Sequence, residues 1–174
     1  MNVTKKGLAA AILALAGTNA MASGYVGVGF GTVDPDLDAI SDFEDSSGLE
    51  IIGGLNISPN MAFELSYVDL GESSDTMVPV WTVSTSGIAG AVLLKALAGE
   101  SAEVFFKFGL FNWDASISEQ GFGEFATDSG TDFFFGFGAA FKLNQTVSLG
   151  MRYNAYSMDD QDPTMLSANI QIGF

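Results

Sequence analysis

Twenty-one carboxylates face only six basic residues in this chain, and it contains neither histidine nor cysteine. Without histidine the commonest general base and the commonest metal ligand are missing, and the Ser-His and Cys-His pairings go with them. Without cysteine there is no thiol nucleophile and no disulfide. A carboxylate pair alone can do acid–base work. No spacing singles one out, so neither an enzyme nor a cofactor is expected. A formal charge of −15 repels phosphates and excludes nucleic acid as a partner.

Two sets of charged residues remain as candidates. The stretch "DPDLDAISDFED" places Asp34, Asp36, Asp38, Asp42 and Asp45 at the first, third, fifth, ninth and twelfth positions of a calcium-loop count. Ala39 stands where that loop needs glycine for its sharp turn, and Asp45 is shorter than the glutamate that would bind through both oxygens. Weak surface binding of a divalent cation is therefore the most this spacing implies. The second set is Glu50, Glu64, Lys107, Lys142 and Arg152. Its meaning depends on the elements that carry it.

Those elements alternate. Eight segments show a period of two, beginning with "GYVGVGFGTV" and ending with "MLSANIQIGF". In the last of them Leu166, Ala168, Ile170, Ile172 and Phe174 share one face, with Ser167, Asn169, Gln171 and Gly173 on the other. The same split puts Phe63 and Leu65 opposite Glu64, Phe106 and Phe108 opposite Lys107, Phe137 and Phe141 opposite Lys142, and Met151 and Tyr153 opposite Arg152. Only the fourth segment, about 80–95, has no clear phase, because "GIAGAVLL" is small or apolar on both sides. The connections alternate as well. Short turns at 58–60, 97–101 and 144–146 are interleaved with long polar stretches at 34–47, 69–79, 114–131 and 157–164.

An eight-stranded, antiparallel, up-and-down transmembrane β-barrel accounts for this layout. Hydrocarbon demands that every backbone polar group be paired, and a closed barrel pairs them without a long apolar run. A soluble barrel would put its apolar face inside. The opposite face here carries Glu50, Glu64, Lys107, Lys142 and Arg152, and a lysine or arginine facing lipid costs about 2–4 kcal/mol at the midplane. Residues 1–22 read as a cleaved secretory signal, with Lys5 and Lys6, an apolar run from Leu8 to Ala16, and small residues at Ala20 and Ala22. Nine apolar residues are less than half of the ~20 that a membrane helix needs. The barrel is then residues 23–174, with four basic residues against 21 acids, a net of −17.

The stretches "YVDLGES", "FFKFGLFNWDA" and "SGTDFFFGFGAAFKL", together with a final strand ending in Phe174, resemble the OmpA-type outer-membrane barrel family over essentially the whole of 23–174. The resemblance implies a bacterial outer-membrane location in lipid and lipopolysaccharide, with both termini periplasmic and the long loops extracellular. It further implies that Phe174 is read by the barrel-assembly machinery. The peptidoglycan-binding domain of larger members is not in evidence after Phe174, so cell-wall anchoring is not implied. In that family a lumen charge network is discussed as the gate of a narrow pore. Within an eight-stranded barrel the same residues can equally be a structural plug. Tyr67, Trp81, Trp113 and Tyr156 fall near the long-loop ends of their strands, as an interfacial girdle requires, although Trp113 has the inward parity.

Seventeen of the 21 acids lie in the long loops or at their edges. The expected function is envelope integrity or cell-surface interaction through these acidic loops, with a surface ligand or divalent cation as partner. The alternative is a narrow gated pore through the charged lumen.

Overall fold

A computed structural model describes residues 23–35, 44–74, 80–119, 121–158 and 161–174, with the backbone alone for Ala98 and Glu124. Residues 1–22, read above as a leader, lie outside the described residues, as do Asp36, Asp38 and Asp42 of the calcium spacing. Eight strands follow one another: β1 Gly24–Asp34, β2 Ser46–Ser58, β3 Met61–Ser74, β4 Trp81–Ala98, β5 Ala102–Glu119, β6 Gly123–Lys142, β7 Val147–Tyr156 and β8 Thr164–Gly173. Each pairs antiparallel with the next, and β8 returns to β1 to close the barrel.

Closure explains why the alternation runs to the last residue. The β1–β8 ladder continues from Asp34↔Thr164 down to Tyr25↔Gly173. Beyond it, Gly24 N–H donates to the Phe174 carbonyl at 3.0 Å, and Phe174 N–H donates to the Gly24 carbonyl at 2.9 Å. A frayed end here would leave unpaired amides facing hydrocarbon. The outer faces carry exposed apolar side chains, among them Phe30, Phe106, Phe108, Phe135, Phe137 and Phe141, as a lipid-facing band requires.

Two expectations change. The long polar stretch 114–131 is not a loop: β5 continues to Glu119 and β6 begins at Gly123. Its ladder runs through Asp114↔Ser129, Ala115↔Asp128 and Ser116↔Thr127. On β5 the outward parity turns polar at Asp114, Ser116 and Ser118 while the inward one keeps Trp113, Ala115 and Ile117, and on β6 threonine, serine and aspartate predominate, so a search for an apolar outward face stops short of the strand ends. Gly121 and Gly123, at φ of 92° and 82°, make the reversal, where residues with a Cβ are strained. Likewise β3 reaches Ser74 within the expected loop 69–79. A strand of about 10 residues spans the bilayer. β7 and β8 have 10 residues each and β5 and β6 have 18 and 20, so β5 and β6 project well past it.

The ambiguous strand acquires a phase. Thr85, Ala89, Ala91 and Leu93 of β4 are buried inside, and Ile88, Gly90 and Val92 face outward. Its inner side is small because large rings from β5 fill the space opposite. A Cβ on Gly87 would lie 2.8 Å from Cε2 of Phe111.

Candidate functional site

Inward parity alone places five charged residues in the lumen, and the stagger of the strands brings four of them together. Glu50 of β2, Glu64 of β3, Lys107 of β5 and Arg152 of β7 are each 2% exposed or less. Arg152 grips Glu64 through both guanidinium nitrogens, Nη1 to Oε1 at 2.8 Å and Nη2 to Oε2 at 2.9 Å. Lys107 Nζ donates to Glu50 Oε1 at 3.2 Å and to Glu64 Oε1 at 3.3 Å. Arg152 Nη1 also lies 3.7 Å from Glu50 Oε1. Two carboxylates and two cations therefore form a neutral, water-excluded knot, the condition under which buried charge is tolerable. Both cations also rest on ring faces, Lys107 above Phe134 and Arg152 above Phe105, each 5.4 Å from the centroid.

Lys142 does not join them. It has the right parity, but it is the last residue of β6, exposed at the short-turn end, where its Nζ donates to the Gly99 carbonyl at 3.1 Å. Three residues escaped the sequence reading, one in the knot and two at the short-turn mouth. Tyr25 donates its hydroxyl to Glu64 Oε2 at 2.9 Å; its only signal was a place on the glycine-rich inner face of β1. Lys95 and Glu103 pair at 3.0 Å, and Lys95 Nζ also donates to Asn56 Oδ1 at 2.9 Å. These two occupy facing ends of β4 and β5 across a short turn, which parity and turn length together could have indicated. They line an open vestibule of about 500 Å³ at the short-turn mouth, with Tyr25, Lys142, Gln171 and Phe174.

On the other side of the knot the lumen is closed by rings. Tyr156 packs against Phe111 at 4.7 Å and stacks on Phe134 at 5.4 Å between centroids, and Val33, Leu70 and Met165 are buried in the same cluster. This corrects the girdle expectation for three residues. Tyr156 and Trp113 are buried inside the barrel, because both occupy inward positions, and a ring at the lipid headgroups must point outward. Trp113 Nε1 instead donates to Asp132 Oδ2 at 2.7 Å. Tyr67 lies on the outer face of β3, and Trp81, exposed on the projecting sheet opposite Glu119, lies past the lipid band and so is not at the headgroups either. Trp113→Phe should lower stability by about 1.5–3 kcal/mol, because Asp132 loses a charge-assisted bond; the shift of the guanidinium unfolding midpoint in micelles measures it.

Several acids outside the knot have structural work. Asp69 Oδ1 accepts from Gly71 N–H at 3.0 Å, bracing the bulge of β3 between Asp69 and Glu72, where Gly71 has φ 76°. Asp132 accepts from Trp113, as above, and Glu103 pairs with Lys95. Of the calcium spacing only Asp34 and Asp45 are described, and no cluster of three or more metal-binding side chains occurs among the described residues.

The family model of the outer membrane protein beta-barrel domain matches residues 7–174. The chain belongs to that family. It is an OmpA-like small outer-membrane barrel, located in the bacterial outer membrane. Solved structures share its fold at low identity. Neisserial surface protein A, NspA, is 14% identical with a TM-score of 0.64, covering 88% of this chain and 97% of that one. Ail, the attachment invasion locus protein of Yersinia pestis, in complex with the heparin analogue sucrose octasulfate, is 13% identical with a TM-score of 0.63, covering 88% and 99%. OprG from Pseudomonas aeruginosa is 10% identical with a TM-score of 0.62, covering 88% and 96%. No curated protein sequence matches the chain. An OmpA-like barrel of this kind crosses the membrane with strands and keeps its chemistry in the lumen and in the connections that leave the lipid.

Proposed function

We propose that this barrel is a plugged, non-enzymatic scaffold that presents an acidic surface outside the cell, serving envelope integrity and surface interaction. The carrying observation is the filled lumen: a neutral charge knot in series with a cap of stacked rings. With the interior filled, the chain's remaining distinctive chemistry is in its long connections. With their edges they hold 17 acids and no lysine or arginine. In this reading residues 1–22 are a cleaved leader, both termini are periplasmic, and the long connections are extracellular. Lipopolysaccharide surrounds the barrel, and a divalent cation bridging its phosphates to Asp34, Asp36, Asp38, Asp42 or Asp45 would be held weakly. The anionic sugar bound by Ail has no counterpart here, because this surface repels sulfates.

The test uses a strain lacking the protein, restored with the parent or with a trimmed chain. The ladders set the cuts: residues 34–45 and 115–128 are each replaced by a two-residue turn, since Val33 pairs with Ser46 and Asp114 with Ser129. The trimmed chain should restore exclusion of a large antibiotic and fail to restore adhesion of the bacteria to cells or surfaces. Equal adhesion by both strains removes the loop function.

A pore is the second reading, favoured by one observation. The Arg152 guanidinium has Glu50 3.7 Å away as an alternative partner to Glu64, so the knot could rearrange. The ring cap stays in the way, and the expected planar-bilayer record is silent for the parent and for Arg152→Ala alike. Steady conductance steps that change in Lys107→Ala or Arg152→Ala would establish the pore instead.

The assembly role of Phe174 is proposed on the same footing. Phe174→Ala should reduce the amount of assembled barrel in cells several-fold while leaving refolding into micelles unchanged. Equal losses in both would make the ring a packing group, since it covers Gly24.

A further inference from the structure

The projecting part of the sheet carries aromatic residues that neither the lipid nor the lumen explains. On the outer face of β5 the apolar series Phe106, Phe108, Leu110 ends and is followed by Asn112, Asp114, Ser116 and Ser118; on β6 the phenylalanines stop at Phe133 and Thr131, Ser129 and Thr127 lie beyond. The lipid band therefore ends near Asn112 and Phe133. Past this polar stretch, at the far end of the hairpin, come Phe122, Phe125 and Trp81, at 85%, 56% and 44% exposure. Trp81, opposite Glu119, meets Phe125 edge-on at 6.0 Å and 62°. Rings so far from the membrane cannot be its girdle, and large exposed rings clustered together mark an interaction site.

The surrounding charge selects the occupant. Inside the barrel each mid-lumen cation covers an aromatic face. Outside, none is available, because the chain has no lysine or arginine from Ser23 to Leu94 or from Phe108 to Phe141. Glu119 is the ladder partner of Trp81, and Asp114 and Asp128 lie further down the same hairpin. Exposed rings beside a carboxylate, on a projection with no cation of its own, attract a guanidinium or ammonium to both at once. A second copy of this chain would bring another highly acidic surface, and an anionic membrane or sulfated sugar would be repelled. Resting on the surface reading above, we infer that the end of the β4–β5–β6 projection is a docking site for a cationic protein segment, with Trp81, Phe122 and Phe125 as its seat and the acidic connections as its attracting field.

The experiment titrates the protein, purified in zwitterionic detergent, with capped octa-arginine at physiological salt. The parent should bind, and the triple variant Trp81→Ala, Phe122→Ala, Phe125→Ala should bind about tenfold or more weakly, as the loss of several cation–π contacts predicts. A heat-dependent gel shift shows that the variant barrel is closed. The chain trimmed at 34–45 should keep the seat but show a shallower salt dependence. Equal affinity of parent and triple variant overturns the seat; if trimming the connections still abolishes adhesion, the surface reading stands without it. No binding by the parent overturns the cationic occupant. Aromatic-dependent capture of neutral phosphocholine vesicles, or aromatic-dependent self-association, would replace it by a lipid surface or a second copy.

Discussion

Glu64→Ala is expected to destabilise the folded barrel by about 3–5 kcal/mol, the cost of leaving buried charge without its partner. Glu64 takes both nitrogens of the Arg152 fork, one bond from Lys107 and the Tyr25 hydroxyl. Its removal leaves two buried cations with Glu50 alone. Water does not reach the knot to compensate, as all four side chains are 2% exposed or less. The double variant Glu64→Leu with Arg152→Leu removes one charge of each sign and preserves the Lys107–Glu50 pair, which stands at 3.2 Å. It should be much closer to the parent, because apolar groups of similar volume replace a buried ion pair at little cost. Guanidinium unfolding in micelles, read by tryptophan emission, gives the three stabilities. A single-variant cost below about 1 kcal/mol would mean that the knot is solvated and not a plug.

Gly31→Val is expected to prevent barrel closure. Gly31 faces Ser167 across the β1–β8 seam. A Cβ there would collide with the Leu166 carbonyl oxygen and lie 2.6 Å from Ser167 Cα. Both obstacles are backbone of the neighbouring strand, which cannot rotate away as a side chain can. The seam must open, and an open edge in hydrocarbon leaves amides and carbonyls unpaired at several kcal/mol each. Gly90→Val is the control: a Cβ at Gly90 meets nothing within 4 Å, because that residue faces outward on β4. In a gel run without boiling, the Gly90 variant should migrate as the compact parent does, and the Gly31 variant as an unfolded chain. A compact band for Gly31→Val would show that the strands can part locally without loss of closure.

What the sequence displays at neither glycine is how closely a neighbouring backbone approaches: Gly31 lies on the small-residue face of an alternating strand, and Gly90 lies in the one segment without a clear phase. Trp113 and Tyr156 teach the same lesson. Their position near strand ends suggested headgroup anchors, yet their parity sends them into the cap over the charge knot. Parity was legible for Trp113 before the structure, and it outweighs residue type. The projecting hairpin was hidden for the opposite reason. Past Asn112 the outward face of β5 turns polar at Asp114, Ser116 and Ser118 while Trp113 and Ala115 are still buried inside, so a search for an apolar outward face ends before the strand does.

Period two is a local property, carried by each residue and its immediate neighbours. From it the sequence alone determined that the chain is a closed transmembrane barrel, which faces meet lipid, and that Glu50, Glu64, Lys107, Lys142 and Arg152 point inward. Which of these touch is not local. It depends on the register between strands and on the stagger accumulated around the closed barrel, set by ladders such as Leu93↔Lys107 and Gly138↔Arg152. The tertiary structure alone decided that Arg152 reaches Glu64 from four strands away, that Lys142 stays at the mouth, and that Tyr25 completes the knot. Alternation says which way a side chain points, and stagger says at what height, so only the closed barrel fixes both.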